Sequence, residues 1–243
     1  MVEGGPFPVI RGLVPNSMNE WHGRLAAAVF LQGCNWRCPF CHGWRFVTEP
    51  DSLPPIPVDA LDDLLSSEAG WIDGVVVSGG EPTLQPHLEN LVRLIRRHGA
   101  AVKLHSNGSR PDVVRGLLER NLLKCLALDF KAPLTATRLA RSAGTEVDPE
   151  AVLQSVRLGP THGVECELHT TLCPACLDLD DLRAMAETLR LEAPQARWIW
   201  QQYNPGDVLD PGRAGESQFA LPDIASVADD LRATGLEIEV RGY

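Results

Sequence analysis

Seven short apolar runs punctuate the 243-residue chain, and between them lie longer stretches whose apolar residues recur every three or four positions. The runs predict strands at Leu25 to Leu31, Gly74 to Ser78, Val102 to Ser106, Cys125 to Asp129, Glu165 to Thr171, Trp198 to Tyr203 and Glu237 to Val240. Val75, Val76 and Val77 show no polar alternation, as expected of a parallel strand covered on both faces. The periodic stretches predict helices at Asp59 to Ser67, His87 to His98, Asp112 to Arg120, Glu150 to Leu158, Asp180 to Leu191 and Ile224 to Thr234. Several open at Pro-Asp or Pro-Glu, and two close at Gly99 and Gly235, the punctuation expected of helix ends. Alternating strands and helices predict a parallel sheet with right-handed crossovers.

In such folds functional groups gather where strands end and loops begin. The polar motifs obey that rule. A cysteine loop follows the first predicted strand, Gly79-Gly80-Glu81-Pro82 the second, Ser106-Asn107-Gly108 the third, Asp129-Phe130-Lys131 the fourth and His169-Thr170-Thr171 the fifth. All five sets are expected to meet at one barrel mouth.

The cysteine loop carries the sharpest chemistry. Cys34, Cys38 and Cys41 stand as C-x-x-x-C-x-x-C, and three thiolates can hold three corners of a 4Fe-4S cluster, leaving the fourth iron without a protein ligand. Zinc is the competing reading, with His42 adjacent, although His42 follows Cys41 too closely to bend back easily onto the same metal. Four further cysteines, Cys125, Cys166, Cys173 and Cys176, make an odd total of seven, which cannot pair completely within one chain and favours ligands or buried thiols over disulfides.

Size and charge then narrow the class. A chain of this length with 44% hydrophobic residues is expected to bury one large core. A formal net charge of -10 argues against a nucleic-acid or anionic-membrane surface. The opening Met1-Val2-Glu3-Gly4-Gly5-Pro6 lacks the basic and apolar regions of a secretory signal, so the expected location is cytoplasmic, with no membrane span.

The residues Phe30 to His42, Val77 to Gln85, Asn107-Gly108, Leu128 to Pro133, Glu167 to Thr171 and Trp200 to Pro205, in that order, resemble the radical S-adenosylmethionine (SAM) superfamily. More narrowly they resemble activating enzymes of glycyl-radical enzymes, the anaerobic ribonucleoside-triphosphate reductase activating proteins above all. The resemblance implies a single domain over 1–243 with a core at about 24–205, folded as a partial (β/α)6 TIM-like barrel of α/β class. It implies an oxidoreductase with a 4Fe-4S cluster on Cys34, Cys38 and Cys41 and SAM on the open iron. Reductive cleavage of SAM would give a 5′-deoxyadenosyl radical that takes hydrogen from a glycine of a partner enzyme. A one-electron donor such as flavodoxin or ferredoxin would supply the electron.

The same resemblance implies that Gly79, Gly80 and Glu81 form the edge facing the SAM amino group, that Phe40 lies against adenine, and that Asn107 contacts ribose or methionine groups. Each has a plainer reading as turn or packing. Asp129 and Lys131 alternate by two, so both side chains leave one side of an extended segment and either hold a zwitterionic ligand or pair with each other. The resemblance places this Asp-x-Lys element at the SAM site, as the catalytic pair. His169 stands where related proteins often carry Arg-Thr-Thr, and is expected either at the ligand or as a satisfied barrel histidine. Cys173-Pro174-Ala175-Cys176 is not required by the family pattern; with Cys166 and Cys125 it offers the ligands of a second cluster or a zinc ion, or a redox pair, and buried or loop thiols are the default reading. Before the first strand the chain reads Glu20-Trp21-His22-Gly23, where activating proteins often show Asp-Tyr-Pro-Gly. Two alternatives stay open: a radical SAM enzyme of a small metabolite or nucleobase, resembling carboxydeazaguanine synthase, and a non-catalytic iron-sulfur carrier or zinc module.

Overall fold

A computed structural model describes residues 6–242; the N-terminal stretch read above for a secretory signal therefore lies almost wholly outside the described residues. Eight strands follow one another in chain order across the sheet. They are β1 (Ile10–Ser17), β2 (Ala26–Leu31), β3 (Gly74–Gly79), β4 (Ala101–Ser106), β5 (Cys125–Asp129), β6 (Glu165–Leu172), β7 (Arg197–Gln202) and β8 (Ile238–Arg241). The helices are α1 (Trp44–Thr48), α2 (Val58–Ser67), α3 (Leu88–Arg97), α4 (Pro111–Glu119), α5 (Ala136–Ala143), α6 (Pro149–His162), α7 (Leu179–Glu192), α8 (Pro211–Ala214) and α9 (Leu221–Arg232). The chain divides into two compact units, one made of residues up to Asn35, Gly43–Ser106 and Asp112–Leu126, the other of Trp36–His42, Asn107–Pro111 and the chain from Ala127 onward.

In the first unit β2, β3 and β4 are parallel, in register from Ala26 opposite Gly74 and from Gly74 opposite Ala101. The expected strands are present, and β1 is an addition. It lies antiparallel to β2, with Val14 opposite Ala28, because a link of eight residues is too short for a parallel crossover. Trp21 sits in that link, 1% exposed, and packs with Ala26, Ala28, Val76 and Cys125. Its ring fills the space beside Gly74, where any Cβ would come within 2.7 Å of it. Lys103 is also buried, and its ammonium donates to the Glu20 carbonyl at 2.9 Å.

In the second unit β6, β7 and β8 are parallel, with Thr171 opposite Gln201 and Gln201 opposite Arg241. Alternation gives this sheet two unlike faces. Leu168, Thr170, Leu172, Trp198 and Trp200 are wholly buried on one. There Trp198 packs edge-on to Phe130 and Trp200, and its Nε1 donates to Thr170 Oγ1 at 2.8 Å. The opposite face is polar: Glu167 meets His169, Arg197 meets Glu237, and Arg241 meets Glu239.

Candidate functional site

The loop after β2 is fixed by its neighbours in each unit. Before Cys34, the Gln32 carbonyl accepts from Gln85 Nε2 at 2.6 Å and the Gln32 side chain accepts from Arg11 Nε at 2.8 Å. Gly33 donates to the Phe46 carbonyl at 2.7 Å and accepts from the Glu81 amide at 2.7 Å. That second bond requires glycine at position 80, since a Cβ there would lie 1.9 Å from the Gly33 oxygen. The bare backbone of Gly80 is thus used for contact with the chain's own Gly33. Arg11 is a positioning residue that no sequence signal marked.

In the second unit the stretch Trp36–His42 is pinned at three points. Arg37 donates to the Ala143 carbonyl at 2.7 Å, and the carbonyls of Pro39 and Cys41 accept from the Asp210 and Leu209 amides at 3.0 and 3.1 Å. Cys41 donates back to the Cys38 carbonyl at 3.0 Å, closing a turn that brings the two cysteines onto one short bend. Gly144, at φ +68°, lets the end of α5 approach so closely that a Cβ would lie 1.9 Å from the Arg37 oxygen. His42 is exposed.

All three cysteines are free thiols, with Cys38 buried and Cys34 and Cys41 partly buried. Among the described residues no group of three or more His, Cys, Asp or Glu side chains is arranged to hold a metal ion. The chemistry of the donors fits a cluster nonetheless. Lys131 Nζ lies 3.0 Å from Asp129 Oδ1 and 5.3 Å from the centre of the Phe40 ring, with both charged groups largely buried. Burial alone would lower the Lys131 pKa. The Asp129 carboxylate and the Cys38 and Cys41 sulfurs outweigh it and hold the ammonium above its ordinary value. A fixed cation beside Cys38 and Cys41 favours the thiolates that iron requires.

The remaining expected residues are placed as follows. Glu81 is 1% exposed, and its Oε1 accepts from the Thr83 amide at 2.9 Å, Thr83 Oγ1 at 2.5 Å and Ser106 Oγ at 2.7 Å. That carboxylate oxygen caps the 3-10 turn Pro82–Leu84. Asn107, 3% exposed, accepts from the Ser109 amide at 2.9 Å and shapes the turn after β4. His169 Nε2 pairs with Glu167 Oε2 at 3.0 Å, the satisfied arrangement foreseen as one of its two readings.

Cys173 and Cys176 are buried in the turn that follows β6, where Cys176 and Leu177 donate to the Cys173 carbonyl at 2.9 and 3.1 Å. The two sulfurs share a hydrogen bond, which holds Cys173 below the ordinary thiol value and, aided by burial, pushes Cys176 up. Cys166 is pushed up to about 12, first by burial and then by Glu167. Among the described residues no helix is long and apolar enough to cross a membrane.

Comparison with known proteins gives these features a family. The Radical SAM superfamily model matches residues 28–189, about two thirds of the chain. A Methanocaldococcus jannaschii protein whose name assigns it as a glycyl-radical enzyme activating enzyme is 28% identical over 206 residues, which cover 83% of this chain and 82% of that protein. The 7-carboxy-7-deazaguanine synthase of Hyperthermus butylicus is 36% identical over 94 residues, 38% of this chain and 39% of the synthase. The crystal structure of Streptococcus suis SuiB bound to S-adenosylmethionine superposes with a TM-score of 0.69 at 15% identity, over 87% of this chain and 48% of SuiB; the chain spans about half the length of SuiB, and the likeness concerns the fold. With its eight-stranded α/β sheet the fold is a partial TIM-like barrel of the radical SAM type. The chain therefore belongs to the radical SAM superfamily and is an enzyme whose cofactors are a 4Fe-4S cluster and S-adenosylmethionine.

Proposed function

We propose that this enzyme takes a hydrogen atom from a backbone glycine of a partner glycyl-radical enzyme. The observation that carries the reading is the relationship to the M. jannaschii protein, which runs over more than four fifths of both chains. When bound, the cluster and SAM supply the electron and the 5′-deoxyadenosyl radical that removes the hydrogen.

In this reading Cys34, Cys38 and Cys41 hold the cluster, on a loop whose backbone is tied by Phe46, Gln85, Ala143, Leu209 and Asp210. Lys131 donates to the SAM carboxylate and Asp129 accepts from its amino group, with the Lys131 ammonium held in its charged form by Asp129. Phe40 gives an apolar wall beside Lys131. Gly79, Gly80 and Glu81 offer backbone groups to the amino-group edge, because the Glu81 Oε1 atom is already engaged in its own turn. Asn107 holds the next loop for the ribose, and His169, oriented by Glu167, stands beside Asp129 on the neighbouring strand.

A second reading rests on the synthase relationship, which reaches 36% identity although over a shorter span. There the same residues would serve a small metabolite or nucleobase. Anaerobic reconstitution with iron and sulfide, reduction and addition of SAM separates the two. Activation predicts 5′-deoxyadenosine together with a glycyl doublet in the electron paramagnetic spectrum of an added glycyl-radical enzyme. Deoxyadenosine with no doublet on any such partner, and with formation of a deazaguanine from an added small-molecule precursor, supports the synthase-like reading.

A further inference from the structure

The polar face of β6, β7 and β8 is built in layers. Register and alternation place Glu167 with Arg197, then His169 with Ile199 and Glu239, and finally Thr171, Gln201 and Arg241 in the row at the C-terminal ends of the strands. Phe130 donates to the His169 carbonyl and packs with Trp198 on the opposite face. Asp129 and Lys131 flank Phe130 and so leave the segment toward the polar face. Arg241 thus shares a face with the pair assigned to SAM, and shares the outermost row with Thr171 and Gln201.

Several charges on this face fall in pairs. Lys131 takes Asp129 at 3.0 Å, His169 takes Glu167 at 3.0 Å, and Arg197 takes Glu237 at 3.0 Å and Glu239 at 4.0 Å. Arg241 Nε takes Glu239 at 2.6 Å. Its Nη2 is buried and has no hydrogen-bond partner among the described residues. A guanidinium has five N–H donors in a rigid fork and no capacity to become neutral. A buried donor left unmade calls for an acceptor from outside the fold.

We propose that Arg241 is a substrate-specificity residue whose free N–H donors take a backbone carbonyl oxygen of the glycine-bearing segment. The inference rests on the glycyl-radical reading above and names the atom that reading leaves unspecified. A peptide carbonyl suits the site because it brings no net charge into a face already crowded with carboxylates, and because Thr171 and Gln201 offer further polar groups in the same row. Glu239 sets the guanidinium plane through Nε, leaving the Nη2 N–H donors for the ligand.

The test uses the reconstituted full chain and a capped pentaglycine peptide, which presents backbone and nothing else. Arg241→Gln is expected to weaken peptide binding by about tenfold, the scale of one charge-assisted hydrogen bond, with Arg241→Lys falling between the two. Both variants are expected to form 5′-deoxyadenosine from SAM alone at the wild-type rate, which also shows that they fold. Equal binding of the peptide by all three proteins overturns the inference, and so does loss of deoxyadenosine formation without peptide, which would put Arg241 at the SAM end. If wild-type protein raises no radical on glycyl-radical partners while peptide binding still depends on Arg241, the glycyl-radical reading falls and the carbonyl site stands. If the partner radical forms and the variants bind the peptide as wild type does, the reverse holds.

Discussion

Lys131 is held by opposing effects whose balance can be measured. Burial disfavours its charge, while Asp129, Cys38 and Cys41 favour it more, so the ammonium persists to beyond about pH 10, the ordinary lysine range. The ratio of SAM affinities of wild type and a variant lacking the ammonium should therefore stay constant between about pH 6 and 9. Lys131→Met should weaken SAM binding by about tenfold or more, read by calorimetry on the reconstituted protein. Cys166 behaves in the opposite sense, as an acid kept neutral by burial and by Glu167. Its folded value lies above its unfolded one, so the folded state holds the proton more tightly. That contribution is intact below the ordinary thiol value and is lost as pH rises from there through about 12. Denaturant midpoints of wild type and Cys166→Ala, compared across that window, should converge as pH rises, and parallel curves would contradict the assignment. The Asp129–Lys131 pairing was legible from a spacing of two. The partner of His169 was not, because Glu167 looks in sequence like any other strand residue.

At the scale of elements, the parallel strands were legible because their apolar runs have no competing periodicity, as in Val75-Val76-Val77. β1 was hidden by Arg11, Pro15 and Asn16, which break the alternation of an edge strand. α6 runs to His162, beyond the expected stop near Leu158. Pro160 lies inside the last turn, where it has no N–H to donate to the Val156 carbonyl, and α6 ends two residues later. α5 was missed for a different reason: Ala136 to Ala143 has few large apolar residues, and its start depends on Thr135 Oγ1 accepting from the Arg138 amide. Two substitutions test how these elements fix the cysteine loop. Gly144→Ala combines a left-handed backbone with a collision against the Arg37 carbonyl, and should cost about 3 kcal/mol in chemical unfolding. Asp178→Ala removes the capping box of α7, in which Asp178 and Asp181 exchange side-chain and backbone bonds. It should cost about 1 kcal/mol and leave iron content unchanged.

For the molecule as a whole, the family and the fold were legible because the motifs fall at strand ends in a fixed order, and the superfamily match ends the zinc-module and electron-carrier alternatives. What the sequence left dark was the polar face of β6, β7 and β8. Its charged residues lie up to about seventy positions apart and meet only through register. Arg241, near the end of the chain, carries no motif at all. In the proposed site Cys34, Cys38 and Cys41 hold three irons of a cluster and leave the fourth for SAM. Mössbauer spectra of anaerobically reconstituted protein, recorded before and after SAM is added, test it most directly. One iron site in four should change on addition of SAM, and Cys38→Ala should lose the cluster signal; a spectrum in which no iron site responds to SAM, or a Cys38→Ala variant that keeps the cluster intact, would contradict the account.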